Sequence, residues 1–297
     1  MTGPHADEVL VLADGRRLAW AEWGDPRGSA VVFLHPCPGS RLLCPDPGAT
    51  GAAGVRLITV DRPGYGRSDP VAAPTLTGFV HDLERLLDHL WLGQVRVVGW
   101  SCGGQYAAAC AAVLGARVSA VALVATPAPH YQLRWLAPSF REVARLANED
   151  PARALEAAEI LGAPLAADPE RAGDGWIGPL DMSVRLPPVL KRTLRTMWAE
   201  AFYAGAAGLA ADVVAGSRPW GFPPAAVRAR AALFYGDDDP VVDPAHARWW
   251  ARALPWAEVT VRPRSGYLVP FVAWADILAA VAEAANRPGP EWRRPGP

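Results

Sequence analysis

Gly99-Trp100-Ser101-Cys102-Gly103 is the stretch on which the reading of this chain turns. An apolar run from Val95 to Trp100 leads in, and an Ala-rich run from Gln105 to Gly115 leads out. That order predicts a strand, a sharp turn and a helix. G-x-S-x-G in this setting lifts the serine hydroxyl above the strand ends. The turn is strained and tolerates only small flanking residues, which Gly99 and Gly103 supply. The hydroxyl then stands beside a helix N-terminus, whose N–H groups favour developing negative charge.

The flanks extend the pattern in both directions. Upstream, Val9 to Leu12, Asp14-Gly15 and Arg17 to Trp23 predict a β-hairpin with a tight turn. Ala30 to Leu34 and Arg56 to Val60 read as buried strands, and Thr77 to Leu92 has the three-and-four apolar spacing of a helix. Val118 to Ala125 is a further strand. Strands alternating with helices imply a mostly parallel sheet covered on both faces. From Pro127 to Pro224 the rhythm breaks into stretches expected to be helical: Leu133 to Leu146, Pro151 to Leu161 and Val189 to Val214. Sheet rhythm resumes with Ala231 to Tyr235, Ala245 to Leu254 as helix, Glu258 to Val261 as strand and Pro270 to Ala285 as a closing helix. The expected division is an α/β core, 1–126 and 225–297, interrupted by a helical lid, 127–224. The Pro-rich tail from Asn286 is expected to fray.

Composition narrows the function. The chain has 297 residues, 51% of them hydrophobic, and a net charge of −1. With no long basic run, nucleic acid and anionic membrane are not expected partners. No uninterrupted apolar stretch reaches the roughly 18–20 residues that span a bilayer. Met1 to Glu8 lacks a signal pattern, so a cytoplasmic location is expected. Cys37, Cys44, Cys102 and Cys110 lack zinc-ligand spacing and read as free thiols. Neither metal nor cofactor is expected. Monomer and homodimer both remain open.

Four motifs together resemble the α/β-hydrolase fold over nearly the whole chain, in the lidded group that includes proline iminopeptidase-like proteins and aromatic-polyketide methyl esterases. They are Gly99 to Gly103; Asp61-Arg62-Pro63-Gly64-Tyr65-Gly66-Arg67-Ser68; His35-Pro36-Cys37-Pro38-Gly39, similar to the H-G-x-P-G oxyanion loop; and Gly236-Asp237-Asp238-Asp239-Pro240-Val241-Val242, similar to the acid loop G-x-x-D-x-x-V. The resemblance implies Ser101 as nucleophile and the backbone N–H groups of Cys37 and Cys102 as oxyanion donors. It implies Asp239 as the triad acid, with Asp237 and Asp238 as solvated loop residues. His35 would brace the oxyanion loop.

Two departures stand out. Pro36 replaces the usual Gly, fixing φ at a position that is not the expected donor. More important, the triad histidine is absent: Ser265-Gly266-Tyr267-Leu268 occupies its place, so Tyr267 stands where the base should be. A phenol has a pKa near 10 against about 6.5 for imidazole, so it is a weak base at neutral pH. Loss of the histidine in subtilisin costs about 10⁶ in kcat. Among the other histidines, His81 and His89 read as helix-surface or structural residues. His246 is expected to be exposed at a helix start, and His5 lies in the N-terminal tail. His130, where the lid begins, is the best substitute base. A Cys102 or Cys37 thiol nucleophile is the other alternative, against the plainer reading as small apolar fillers.

Trp100 flanks the serine, and Trp135, Trp176, Trp198 and Trp220 fall in or beside the lid. They either pack the lid on the core or line a roomy aromatic pocket for an apolar or polycyclic ligand, Trp100 foremost. Three functions follow from the resemblance and its departures. The first is an enzyme acting on a small apolar substrate through Ser101, Asp239 and Tyr267 by proton transfer, elimination or cyclisation. The second is an esterase or lactonase with another base such as His130. The third is a ligand-binding protein without catalysis.

Overall fold

The computed structural model describes residues 3–170 and 187–287. Its eight strands are β1 (Ala6–Val11), β2 (Arg17–Gly24), β3 (Ser29–Leu34), β4 (Val55–Val60), β5 (Val95–Trp100), β6 (Val118–Val124), β7 (Arg230–Gly236) and β8 (Ala257–Arg262). They form one sheet in the order β1-β2-β4-β3-β5-β6-β7-β8. The hairpin β1–β2 is antiparallel, as is the β2–β4 pair; every later pair is parallel. Gly15 closes the hairpin at φ 86°, a conformation costly for any residue with a Cβ.

The central strands are apolar because helices cover both faces. On one side lie α2 (Leu76–His89), α3 (Cys102–Val113) and α8 (Pro244–Ala253); on the other, α1 (Pro47–Ala52) and α9 (Val269–Asn286). Two buried clusters result, one holding Leu83, Val97 and Trp250, the other Phe33, Val98 and Trp274. α9 is long and apolar enough to cross a membrane by length and composition alone. Its Val269, Trp274, Ile277 and Val281 are buried, and it packs on β6 and β7.

Between β6 and β7 four helices are described: α4 (Arg141–Glu149), α5 (Pro151–Ala167), α6 (Pro188–Ala201) and α7 (Ala207–Ser217). Two expectations need correction here. Leu133 to Ala137 is not helical, because the N–H groups of Trp135 and Leu136 are given to His130 Nδ1, at 3.1 and 3.2 Å. Val189 to Val214 is not one helix: it breaks after Ala201 and passes through Gly205 at φ 91° before α7 begins. α5 runs six residues beyond the expected end, through Pro164. Trp176 and the tail from residue 288 lie outside the described residues.

Candidate active site

The site is built where β5 meets α3. Ser101 takes φ 55° and ψ −126°, a strained conformation held by Ser101 N–H donating to Val124 O at 2.8 Å. No larger residue fits at either flank. A Cβ on Gly99 would lie 2.2 Å from Gly103 O, and one on Gly103 would lie 2.2 Å from Leu34 O. The strain and the two glycines put the hydroxyl at the apex of the turn. Cys102 opens α3, so its N–H has no intrahelical partner and is available to a negative oxygen.

The loop after β3 faces this apex. Pro36, Cys37, Ser101, Cys102, Trp100 and Tyr267 share one cavity of about 380 Å³. Its remaining wall is largely apolar and comes from the insertion, with Trp135, Phe140, Leu194, Met197 and Trp198 prominent. No charged side chain is among the described residues that line it. Transfer of a bare charge into such a space is strongly opposed.

Tyr267 sits where the sequence resemblance puts the base. Its ring is tilted against Trp100 at 5.1 Å between centroids, and Trp100 Nε1 donates to Tyr267 O at 3.1 Å. The residue before the serine therefore fixes the backbone that carries the phenol. The Tyr267 phenol and Ser101 line the same cavity, close enough for the serine to act on the phenol's proton affinity. Burial pushes the phenol well above its ordinary pKa, opposed by the Ser101 hydrogen bond and reinforced by the nearby negative charge of Asp239. At neutral pH this group is a protonated donor.

Asp239 is buried, and its charge acts on the phenol. Its Oδ1 accepts Val241 N–H at 2.8 Å and Val242 N–H at 2.9 Å, which fixes the carboxylate's rotation. Asp237 and Asp238 are exposed at the loop tip. Ser101, Tyr267, Cys37 and Cys102 thus line one cavity, and Asp239 lies outside its lining but within electrostatic reach of the phenol.

His130 is not among the residues lining the cavity; its Nδ1 is committed to two backbone N–H groups of the insertion. His246, expected at the surface, is buried instead. It turns inward from α8 so that Nδ1 accepts Ala128 N–H at 3.0 Å, fastening the start of the insertion to the core. His35 is buried at the oxyanion loop. Its Nδ1–H donates to Pro36 O at 2.7 Å while Nε2 accepts Arg62 N–H at 3.4 Å, the neutral tautomer that burial also favours. His81 and His89 are exposed. The four cysteines are free thiols. The Cys37 thiol is held well above its ordinary pKa by its contact with Cys102 and by burial, which makes it a poor nucleophile.

Sequence reading passed over three side chains behind the loop: Arg62, Tyr65 and Asp212, all buried. Arg62 and Tyr65 lie inside a quoted motif, but their partner Asp212 is 150 residues from Arg62. The signal was present: Asp212 is the single charge in the apolar run Ala207 to Ser217.

This serine elbow on a mostly parallel sheet defines a class, and the comparisons agree. Residues 29–271 match the alpha/beta hydrolase fold family, and the chain belongs to it. Its curated relatives include a proline iminopeptidase of Neisseria gonorrhoeae, 30% identical over 40% of this chain and 40% of that protein. A probable proline iminopeptidase of Streptomyces coelicolor is 36% identical over 34% of this chain and 33% of its own length. A putative 2-succinyl-6-hydroxy-2,4-cyclohexadiene-1-carboxylate synthase of Bacillus subtilis is 34% identical over 39% and 43%. The chain therefore aligns with less than half the length of each of these relatives. Among solved structures, a hydrolase from Pseudomonas aeruginosa superposes with a TM-score of 0.71 at 20% identity, over 95% of this chain and 99% of that one. An enol-lactonase from Burkholderia xenovorans gives 0.66 at 18% identity, over 94% and 100%. At such identities the structures speak for the fold alone.

Proposed function

We propose that this protein is a non-hydrolytic enzyme that polarises the carbonyl of an uncharged, apolar substrate and moves a proton through the Tyr267–Ser101 pair, as in a ring closure or an elimination. One observation carries the reading: at the position where hydrolysis needs a base, a phenol kept protonated by burial shares the cavity with Ser101. Among the described residues that line the cavity, the polar side chains are hydroxyls, thiols and indole N–H groups, none of them charged.

Such a site suits a relay better than a hydrolysis. Apolar surface draws the substrate in, and its carbonyl oxygen accepts the N–H groups of Cys37 and Cys102. One such donor is worth about 2.7–4 kcal/mol to a developing oxyanion. In a ring closure the substrate's own enol carbon attacks that carbonyl, and the carbonyl π pair moves onto oxygen. Tyr267 gives its proton to that oxygen and takes the enol proton in return, directly or through Ser101. No group carries a lasting charge, which an uncharged cavity could not tolerate. The negative charge of Asp239 favours the protonated form of the phenol. That one relative is named a synthase rather than a peptidase is in keeping with this chemistry.

The test uses an aromatic enal whose absorbance moves to the red when its carbonyl oxygen accepts strong hydrogen bonds, 4-(dimethylamino)cinnamaldehyde. Bound to the wild type it should be red-shifted, and Tyr267→Phe should lose part of that shift while still binding. A bound probe with no shift in the wild type would remove the carbonyl-polarising reading. Rapid, sustained hydrolysis of 4-nitrophenyl butyrate by the wild type would restore the esterase.

A further inference from the structure

The oxyanion loop is anchored from behind by a charge belonging to the insertion. Asp212 lies on α7 and is 3% exposed. Its carboxylate binds Arg62 through both oxygens, with Nε to Oδ1 at 3.0 Å, and Tyr65 OH donates to Oδ2 at 2.9 Å. Arg62 spends its remaining donors on the loop itself: Nη1 to His35 O at 2.6 Å and Nη2 to Pro36 O at 3.1 Å. The guanidinium is further boxed in by the Tyr106 ring, 4.8 Å from its carbon.

The consequence follows from peptide geometry. Pro36 C=O and Cys37 N–H belong to one planar trans unit and point in opposite directions. Whatever holds the Pro36 carbonyl back toward Arg62 aims the Cys37 N–H forward, toward the cavity that Cys37 lines. Pro36 has no N–H to compete and cannot change its φ, so the carbonyl's two anchors decide the aim: Arg62 Nη2 at 3.1 Å and His35 Nδ1–H at 2.7 Å, the latter on a residue whose own carbonyl Arg62 holds. Arg62 can hold two carbonyls only if its own fork is fixed, and the group that fixes it is Asp212.

We infer that Asp212 is a positioning residue for catalysis: through Arg62 it aims the Cys37 N–H, so the oxyanion site is complete only when α7 is seated. This rests on the carbonyl-polarising reading above but adds a residue 150 positions along the chain from Arg62.

The experiment compares Asp212→Asn, Arg62→Lys and the double variant Asp212→Asn/Arg62→Met. The first keeps the shape of the side chain and weakens its hold on Arg62. The second keeps the charge but loses the planar fork. The third removes both charges, so no buried ion is left unpaired and folding is protected. Each is read by the red shift of the bound cinnamaldehyde and by its Kd. In a Tyr267→His background each is also read by kcat and KM for 4-nitrophenyl butyrate. Loss of most of the red shift is expected, with Kd changing less than about threefold, under 1 kcal/mol. In the histidine background kcat should fall about 10²–10³-fold, the effect of losing one oxyanion donor, with KM little altered. The double variant should recover the wild-type Tm and still lack the shift. Recovery of shift and Tm together would make the network merely structural and overturn the proposal. A wild type that shifts the probe, beside variants that shift it equally, would overturn it while sparing the parent reading. A wild type that never shifts it removes both.

Discussion

Tyr267→His tests how much of a hydrolytic site survives around the phenol. The perturbation exchanges a protonated donor for a group with a pKa near 6.5 at the same backbone position. That backbone is held by Trp100 Nε1 donating to Tyr267 O at 3.1 Å, a bond the substitution leaves intact. Asp239 is already oriented by the Val241 and Val242 N–H groups, so it can accept the new Nδ1–H and fix the tautomer. The other imidazole nitrogen would then face Ser101, which shares the cavity with residue 267. General-base catalysis is worth about 10²–10⁴ in rate, or roughly 2.7–5.4 kcal/mol at 1.36 kcal/mol per decade. The imidazole is shorter than the phenol, so a gain of at least about tenfold in kcat/KM for 4-nitrophenyl butyrate is the cautious expectation. Its pH profile should rise through the imidazole range. Tyr267→Phe, which removes only the hydroxyl, should give no gain. Carbonyl polarisation, read by the cinnamaldehyde shift, should weaken in both variants. A folded Tyr267→His with no gain in hydrolysis would refute the reasoning, because Asp239 and the oxyanion donors would then not be arranged around that position.

Further outcomes follow from the same geometry. His130→Ala should leave residual ester hydrolysis unchanged, because its Nδ1 is spent on Trp135 and Leu136 N–H; the cost should appear as lower stability, about 1–3 kcal/mol for stranded donors. Lost hydrolysis at unchanged Tm would show that His130 is a base after all. Burial holds His35, His130 and His246 below the usual imidazole pKa of 6.5. The unfolded chain therefore takes up more protons than the native one as pH falls below about 6.5, and unfolding free energy should drop there. Urea midpoints at about pH 7.5 and about pH 5.5 check the sign, and His246→Gln should shrink the difference. Gly103→Ala would drive a Cβ to 2.2 Å from Leu34 O and 2.5 Å from His35 O, both rigid backbone, so a loss of about 1–3 kcal/mol and of the probe shift is expected. A matched ester and acid pair should separate sharply: the carboxylate finds no charged partner on the described cavity wall, and equal affinities would contradict that uncharged lining.

The core was legible because its signals are local. Val95 to Trp100, the two glycines and the Ala-rich run each constrain their own neighbours, and they specify a strand, a turn and a helix without reference to anything distant. The acid loop was legible for the same reason: Asp239 caps its own turn through N–H groups two and three residues on. What failed was whatever depended on partners far along the chain. His246 looks exposed from its helix start, yet its nitrogen is used by Ala128, 118 residues earlier. Leu133 to Ala137 has an apolar pattern suited to a helix, but one imidazole takes the N–H groups of Trp135 and Leu136. The run Val189 to Val214 hides its break because a single glycine, Gly205, is enough to turn the chain.

The retained strain at Ser101 argues against a site that has only drifted. A φ of 55° at a non-glycine residue costs on the order of 1–3 kcal/mol and persists only where the surroundings enforce it. A pocket that merely stored an apolar ligand would need the aromatic wall but not this turn. The turn matters to a molecule that uses what it presents: a hydroxyl at the apex and an N–H at the start of α3. The buried Arg62–Asp212 pair makes the same point from the other side, since two desolvated charges contribute little net stability by themselves. Both costly features adjoin one cavity, the turn by supplying Ser101 and Cys102 to its wall and the ion pair by holding the loop that supplies Pro36 and Cys37. On the reading proposed above, the phenol takes the place of the base while the N–H groups that would stabilise an oxyanion are kept. A reaction that needs negative charge held on oxygen, but no proton removed by a charged base, is the one that this combination favours.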